Sequence, residues 1–442
     1  MSGGEATNDF EASPLIREVR TLLHRGHVDE ASARVEHEVA AAPQRADAWY
    51  MRGVVANRRR DHGTAVVALR RAIELRPDAA LPWLALGTAF ARSNAWDDAV
   101  EAYRATIGRD PEMADAHLNL GLALKQRGDV LGAMRSLHHA WSRDPMLFDA
   151  ARHCLATIAE HVRSEHAPRP SGTRPPLPER NRSFTIVMCS VDDAKCARAV
   201  ALYRRLFADF PHEFVVVRDA RSLASAYNAA AEGARGDWVL LSHDDIDVLD
   251  EDFAARIAWL LSTRFDALGV IGSTRLDGPA IGWSGHPHLR GWITHRVAGD
   301  PRWQVDVLDP RPIADGVVAL DGVLIATRRD VVRAVPFDAV TFDRFHLYDL
   351  DWSYRAARAG FRLGVAGDLL VVHESRGRYG DEWEEQARRF CAKHDVGHAA
   401  ARMSSFFGTT LDSALHVRAF FSVLRALATM PDGPSGERLG SG

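Results

Sequence analysis

Cysteine is scarce in this chain. The four present, Cys154, Cys189, Cys196 and Cys391, are too few and too scattered for a disulfide framework, and no Cys-x-x-Cys pair offers a zinc site. Sparse thiols of this kind fit a reducing, cytoplasmic setting. Long hydrophobic runs are missing too. No stretch approaches the ~20 apolar residues of a membrane span, and runs such as that around Val239–Leu241 are only strand length. The opening MSGGEATNDFEAS is acidic and polar with no apolar h-region, so no signal peptide is expected. Nor is there an excess of one charge. The chain has 55 Lys and Arg against 59 Asp and Glu, a net −4, which gives no electrostatic reason to expect nucleic acid or an anionic membrane as partner. With 46% hydrophobic and 26% charged residues, the composition excludes disorder over most of the chain. Its 442 residues suggest two or three domains.

What is present is periodic. Pro43, Pro77, Pro111 and Pro145 stand 34 residues apart. Gly53, Gly87 and Gly121 keep that step, as do Ala31, Ala65, Ala99 and Ala133, and Trp49 and Trp83 keep it with His117 in third place. Several residue types sharing one register mark a repeated helical hairpin. The glycine lets the first helix approach its neighbour, the alanine sits where the two helices cross, and the proline ends the second helix. One hairpin cannot bury its apolar face alone, so several must stack. The pattern resembles the tetratricopeptide repeat, whose register is carried by Trp83, Leu86, Gly87, Phe90, Ala99, Tyr103 and Pro111. Clear repeats fall at about 46–79, 80–113 and 114–147. A degenerate one at about 12–45 has Val19 in the glycine position, and 148–163 reads as a capping helix. The resemblance implies a solenoid over 12–163 with a concave groove for a peptide or protein segment; the plainer alternative is a scaffold that orients the rest of the chain.

Residues 164–182 hold five prolines, Pro168, Pro170, Pro175, Pro176 and Pro178, and no apolar periodicity, so they read as a linker. Beyond it the pattern changes to alternating strand and helix. FTIVMCSV (Phe184–Val191), FVVV (Phe214–Val217) and DWVLLS (Asp237–Ser242) are buried-strand runs separated by helical stretches. That order predicts an α/β domain with a mostly parallel sheet, whose ligands bind beyond the carboxyl ends of the strands. There the third strand runs into His243-Asp244-Asp245-Ile246-Asp247. Clustered carboxylates suit a hard cation such as Mg²⁺ or Mn²⁺. They suit an acidic turn before a helix equally well.

The stretch Ser222–Asp247 resembles the core of inverting glycosyltransferases of family 2, with Asn228 on a helix, the turn Arg235-Gly236, the strand Trp238–Leu241 and an Asp-x-Asp motif whose first place here is His243. FHLYDLDWSYRAARAGFRLGV (Phe345–Val365) resembles the family's acidic motif, with Tyr348 in its Glu place, then Asp349, Asp351, Arg355 and Gly360. Asp349 and Asp351 are two apart, so on a helix they point in different directions, and Asp351 can pair with Arg355 at i+4. The resemblance covers roughly 184–395. It implies a GT-A domain over 183–395 that uses a divalent metal, Mn²⁺ or Mg²⁺. Asp349 would be the catalytic base. Asp351 and Asp321 would be acceptor-side or structural acids. Asp245, His373 and Asp247 would hold the metal, and Asp192, Asp219, Asn228, Asp244 and Arg376 the nucleotide-sugar donor. The stretch 274–316 reads as a long loop in which Trp283, Trp292 and His288 could contact the acceptor. Residues 396–442 are expected to hold a final helix, about 409–429, and a disordered tail. Three functions fit: a transferase whose repeats dock a protein acceptor, one acting on a glycan or lipid-linked acceptor in surface polysaccharide assembly, and a scaffold with a decayed transferase domain.

Overall fold

The computed structural model describes residues 10–164, 182–296, 299–375, 380–397 and 407–430. The chain forms two compact units that part between Thr157 and Ile158. In the first, helices α1 (Pro14–His24), α2 (Val28–Ala41), α3 (Ala46–Arg58), α4 (His62–Leu75), α5 (Ala80–Arg92), α6 (Trp96–Ile107), α7 (Ala114–Gln126) and α8 (Val130–Arg143) pair as successive hairpins. The division between units falls inside α9 (Phe148–Arg163), which the sequence reading gave whole to the repeats.

The 34-residue step has a steric cause. A Cβ on Gly53 would lie 2.4 Å from Cγ of Leu69, on Gly87 2.5 Å from Cε1 of Tyr103, and on Gly121 2.6 Å from Cγ of Leu137. Each glycine leaves room for one large side chain of its partner helix. The helix-crossing alanines Ala31, Ala65, Ala99 and Ala133 are fully buried. Trp49 donates its Nε1–H to the carbonyl of Pro43 at 2.8 Å, and Nε2 of His117 lies 2.9 Å from the carbonyl of Pro111. The imidazole thus holds the same proline carbonyl that the indole holds two repeats earlier. Gly87→Ala is expected to lower stability by ~1–3 kcal/mol through this overpacking. The readout is a lower urea midpoint by far-UV circular dichroism. Gly108→Ala is the control, because that Cβ meets nothing closer than the Arg104 carbonyl at 3.5 Å.

The second unit opens with β1 (Phe184–Cys189), α10 (Asp193–Leu206), β2 (His212–Val217), α11 (Leu223–Gly233), β3 (Trp238–Ser242), β4 (Ile246–Val248), α12 (Phe253–Thr263), β5 (Ala267–Gly269) and β6 (Ile271–Ser273). Then come β7 (Leu289–Arg296), β8 (Trp303–Val307), β9 (Ile313–Val317), β10 (Ala319–Leu320), β11 (Leu324–Arg328) and α13 (Arg329–Ala334). The described part ends with α14 (Tyr348–Arg358), β12 (Leu363–Ala366), β13 (Val371–His373), α15 (Asp381–His394), β14 (Phe407–Leu411) and α16 (Ala414–Thr429). The main sheet has the order β2-β1-β3-β11-β5-β12-β9. Five of its seven strands run one way, with β11 and β9 reversed, so it is a mixed sheet with a parallel majority. Alternation along β1 sends Phe184, Ile186 and Met188 to the face covered by α10 and α12, and Val187 to the face covered by α11, α13 and α14.

A second sheet, β10-β6-β7-β13-β4, carries β8 on β7 and β14 on β8. It corrects the reading of 274–316 as a loop, since β7, β8 and much of β9 lie there. Trp292, expected near the acceptor, is a core residue. It is fully buried, stacks on Phe421 of α16 at 5.3 Å and donates to the Asp309 carbonyl. The same contact explains the apolar face of α16. Among the described residues no helix is long and apolar enough to cross a membrane.

Candidate active site

The ends of β1 and β3 open into a cleft of about 280 Å³ lined by Ser190, Tyr227, Ser242, His243, Asp244 and Asp245. A second, larger cleft of about 480 Å³ lies on the other side of His243 and Phe345, which line both. Asp321, Gly322, Tyr348, Asp349 and His373 face this second space.

A histidine cluster stands where the clefts meet. Antiparallel pairing of β13 with β4 sets His373 beside Ile246, and the Glu374 amide donates to the Asp245 carbonyl at 3.0 Å. Sequence-distant residues are thereby fixed side by side. His373 Nε2 lies 3.3 Å from Asp245 Oδ1 and 3.4 Å from His243 Nδ1, and His243 Nδ1 lies 3.9 Å from Asp245 Oδ1. One donor atom from each of the three lies within 4.8 Å of the others. Burial alone would raise the Asp245 carboxyl. Hydrogen bonding and charge from His373, with Ser375 and His243, more than offset it and hold that carboxyl well below the usual range. Burial and the charge of His373 push the His243 imidazole down, which favours its neutral form. An anionic oxygen and two imidazoles in so small a space are a donor set for a divalent cation of intermediate softness.

Asp349, in the first turn of α14, also lines the second cleft. It is buried and accepts the Gly322 amide at 2.6 Å. A Cβ on Gly322 would lie 2.5 Å from the Tyr348 hydroxyl and 2.8 Å from Asp349 Oδ2, so glycine alone admits this contact. Burial, reinforced by the nearby charge of Asp321, pushes the Asp349 carboxyl up to about 7. Asp351, two residues on in the same helix, faces elsewhere. It is fully buried and held by Arg355 at 2.8 Å, His394 at 2.9 Å and Lys393 at 2.5 Å. Those contacts pin α14 to α15 and leave Asp351 outside both clefts.

The other expected residues separate in the same way. Asp244 lines the smaller cleft and accepts the Ser190 hydroxyl at 2.6 Å. Asp321 lines the larger one and accepts the Val323 amide at 3.0 Å. Asp247 is not in the histidine cluster; its carboxylate takes the Val248 amide, and His243 stands in the cluster instead. The structure thus groups His243, rather than the expected Asp247, with Asp245 and His373. Asp192 is exposed and caps α10 through the Lys195 amide, and Asp219 is exposed at positive φ; neither lines a cleft. Asn228 is a structural pin, giving and taking hydrogen bonds with the Phe337 main chain at 2.8 Å each. Arg376 lies outside the described residues.

The sequence reading missed a second polar group in the larger cleft. His295 on β7 has Nδ1 3.3 Å from the His373 carbonyl and Nε2 3.8 Å from Asp306 on β8. Gln304 donates to Asp306 at 2.9 Å. The available signal was the alternation in Trp303–Val307, which marks a strand.

Comparison with known proteins agrees with this division. Residues 185–394 match a family described as glycosyltransferase like, and residues 16–80 and 84–137 match the tetratricopeptide repeat. Among solved structures, a MamA RS-1 ArsTM double mutant is 18% identical over 37% of this chain and 89% of that one, with a TM-score of 0.31. YrrB, described as a TPR protein with an unusual peptide-binding site, is 18% identical over 37% and 86%, with a TM-score of 0.30. No curated protein matches the chain. The chain therefore joins a tetratricopeptide repeat region to a glycosyltransferase-like family 2 domain.

Proposed function

We propose that this chain, repeats joined to a glycosyltransferase-like domain, moves a sugar from a nucleotide-sugar donor to a polypeptide acceptor held by the repeats, with inversion at the anomeric carbon. The observation that carries the reading is the meeting of the two clefts at the His243, Asp245 and His373 cluster, with Asp349 lining the larger one. The smaller cleft would take the nucleotide, with Asp244 and Ser190 offering polar contacts. The larger would take the sugar and the acceptor hydroxyl.

Inversion needs a single in-line displacement. The acceptor oxygen bonds to the anomeric carbon as the bond from that carbon to the diphosphate oxygen breaks, and the hydroxyl proton passes to a base. Asp349 suits that step, because a base works best with a pKa near the working pH. Gly322 fixes its carboxylate through a backbone N–H, and Tyr348 closes the wall beside it. His243, Asp245 and His373 would hold a divalent ion, which when bound supplies positive charge for the leaving diphosphate.

The test is release of free nucleoside diphosphate from a panel of nucleotide sugars, with and without Mn²⁺. One donor is expected to turn over with the metal. The reading fails if no donor is turned over and none binds by calorimetry, which would leave the protein a scaffold.

A further inference from the structure

The repeats carry a groove of about 500 Å³ formed by α1, α3 and α5. Its polar lining is basic. Arg20, His24, Arg58 and Arg92 border it, and none of its lining residues is Asp or Glu. Elsewhere in the array many arginines are paired with carboxylates, as Arg45 is with Asp47 and Arg52 with Glu36. In the groove Arg20 donates to the Tyr50 hydroxyl, Arg92 to the Asn57 carbonyl, and the side chain of Arg58 has no partner among the described residues. Arg20, His24, Arg58 and Arg92 are all exposed.

Three of these residues share the repeat register. His24, Arg58 and Arg92 stand 34 residues apart, at the last position of α1, α3 and α5. They form a column with one basic side chain per repeat, two of them arginines. Packed helices lie ~8–10 Å apart. A chain in the polyproline II conformation rises ~3.1 Å per residue with three residues per turn, so every third side chain points the same way about 9 Å further on.

We infer that this groove binds an extended polypeptide segment with acidic side chains at every third position, one for each basic side chain of the column. The apolar floor of Leu23, Leu81 and Leu84 would cover the intervening residues. Polypeptide is favoured over a nucleic acid strand by Asn57. Its amide nitrogen donates to the Ala85 carbonyl, while its buried Oδ1 accepts nothing, an acceptor suited to the N–H that a peptide offers at almost every residue and a phosphodiester lacks. The inference deepens the docking role proposed for the repeats, and it is tested without any sugar donor, so its failure leaves the transferase reading standing.

The experiment is fluorescence polarisation with the full-length protein and a labelled peptide of repeated Glu-Pro-Ser triplets. The comparison probes are the Gln-Pro-Ser counterpart and oligodeoxythymidine. The Glu peptide is expected to bind, to weaken as salt rises, and to lose ~10-fold in affinity in Arg58→Glu. Arg92→Glu should act likewise. Arg58→Gln, which removes the charge of an exposed side chain with no contacts to disturb, should weaken binding to a smaller degree. Arg70→Glu, an equal charge change outside the groove, should leave it unaltered. Equal binding of the Gln peptide, wild-type affinity in the Arg58 variants, or displacement of the Glu peptide by oligodeoxythymidine would overturn the inference.

Discussion

Asp349→Asn is expected to lower sugar transfer by ~10²–10⁴-fold, the usual worth of a positioned general base. Amide and carboxylate have the same shape, so the Gly322 contact and the fold should persist. Mn²⁺ binding should persist as well, because Asp349 is not in the histidine cluster. A loss confined to turnover would separate the base from the metal site. The pH profile gives a second handle. A base acts only when deprotonated, and burial together with the charge of Asp321 holds Asp349 near 7. Activity should therefore climb about tenfold per pH unit below that point and level off above it. Asp321→Asn removes the like charge, so the Asp349 carboxyl gives up its proton more easily and the acid limb moves to lower pH. Burial remains, so the limb stays above the position of an ordinary aspartate. A rate that ignores pH between 5 and 8 at about constant metal occupancy would sink the assignment.

The two halves of the chain were unequally legible. A repeat writes the same steric demand several times, so the glycines opposite Leu69, Tyr103 and Leu137 show in sequence as a bare periodicity. The parallel strands of the second unit were visible for a similar reason, as apolar runs between helical ones. The site was harder. Asp349 and Asp351 are chemically alike and two residues apart, and what separates them is the approach of Gly322 to one and of Lys393 and His394 to the other. Asn228 looked like a ligand contact because nothing local predicts Phe337, 109 residues away, as its partner. His295 and Asp306 were hidden because their strands belong to a second sheet made of short pieces, where Gly and Pro between strands read as loop. In each case the missing information is a long-range pairing, which no local pattern carries.

Asp247 and Asp245 invite the same kind of separation by experiment. Asp245→Ala and His373→Ala are each expected to weaken Mn²⁺ binding by at least ~10²-fold in calorimetry, since even partners behind the first ligands are worth ~10–100-fold. Nucleoside diphosphate release should fall with it. Asp247→Asn should change neither, because that carboxylate is engaged with the Val248 amide and lies outside the cluster. His243→Ala decides whether the residue in the first place of the motif is a ligand. The imidazole is held toward its neutral form by burial and by His373, so at neutral pH it presents a lone pair with no proton to displace. Its loss should then match that of His373. Two imidazoles beside one carboxylate also favour Mn²⁺ over Mg²⁺, which prefers an all-oxygen shell. Tighter binding of Mg²⁺ than Mn²⁺, or full Mn²⁺ affinity in Asp245→Ala, would move the ion elsewhere and leave the histidines a hydrogen-bonded wall between the two clefts.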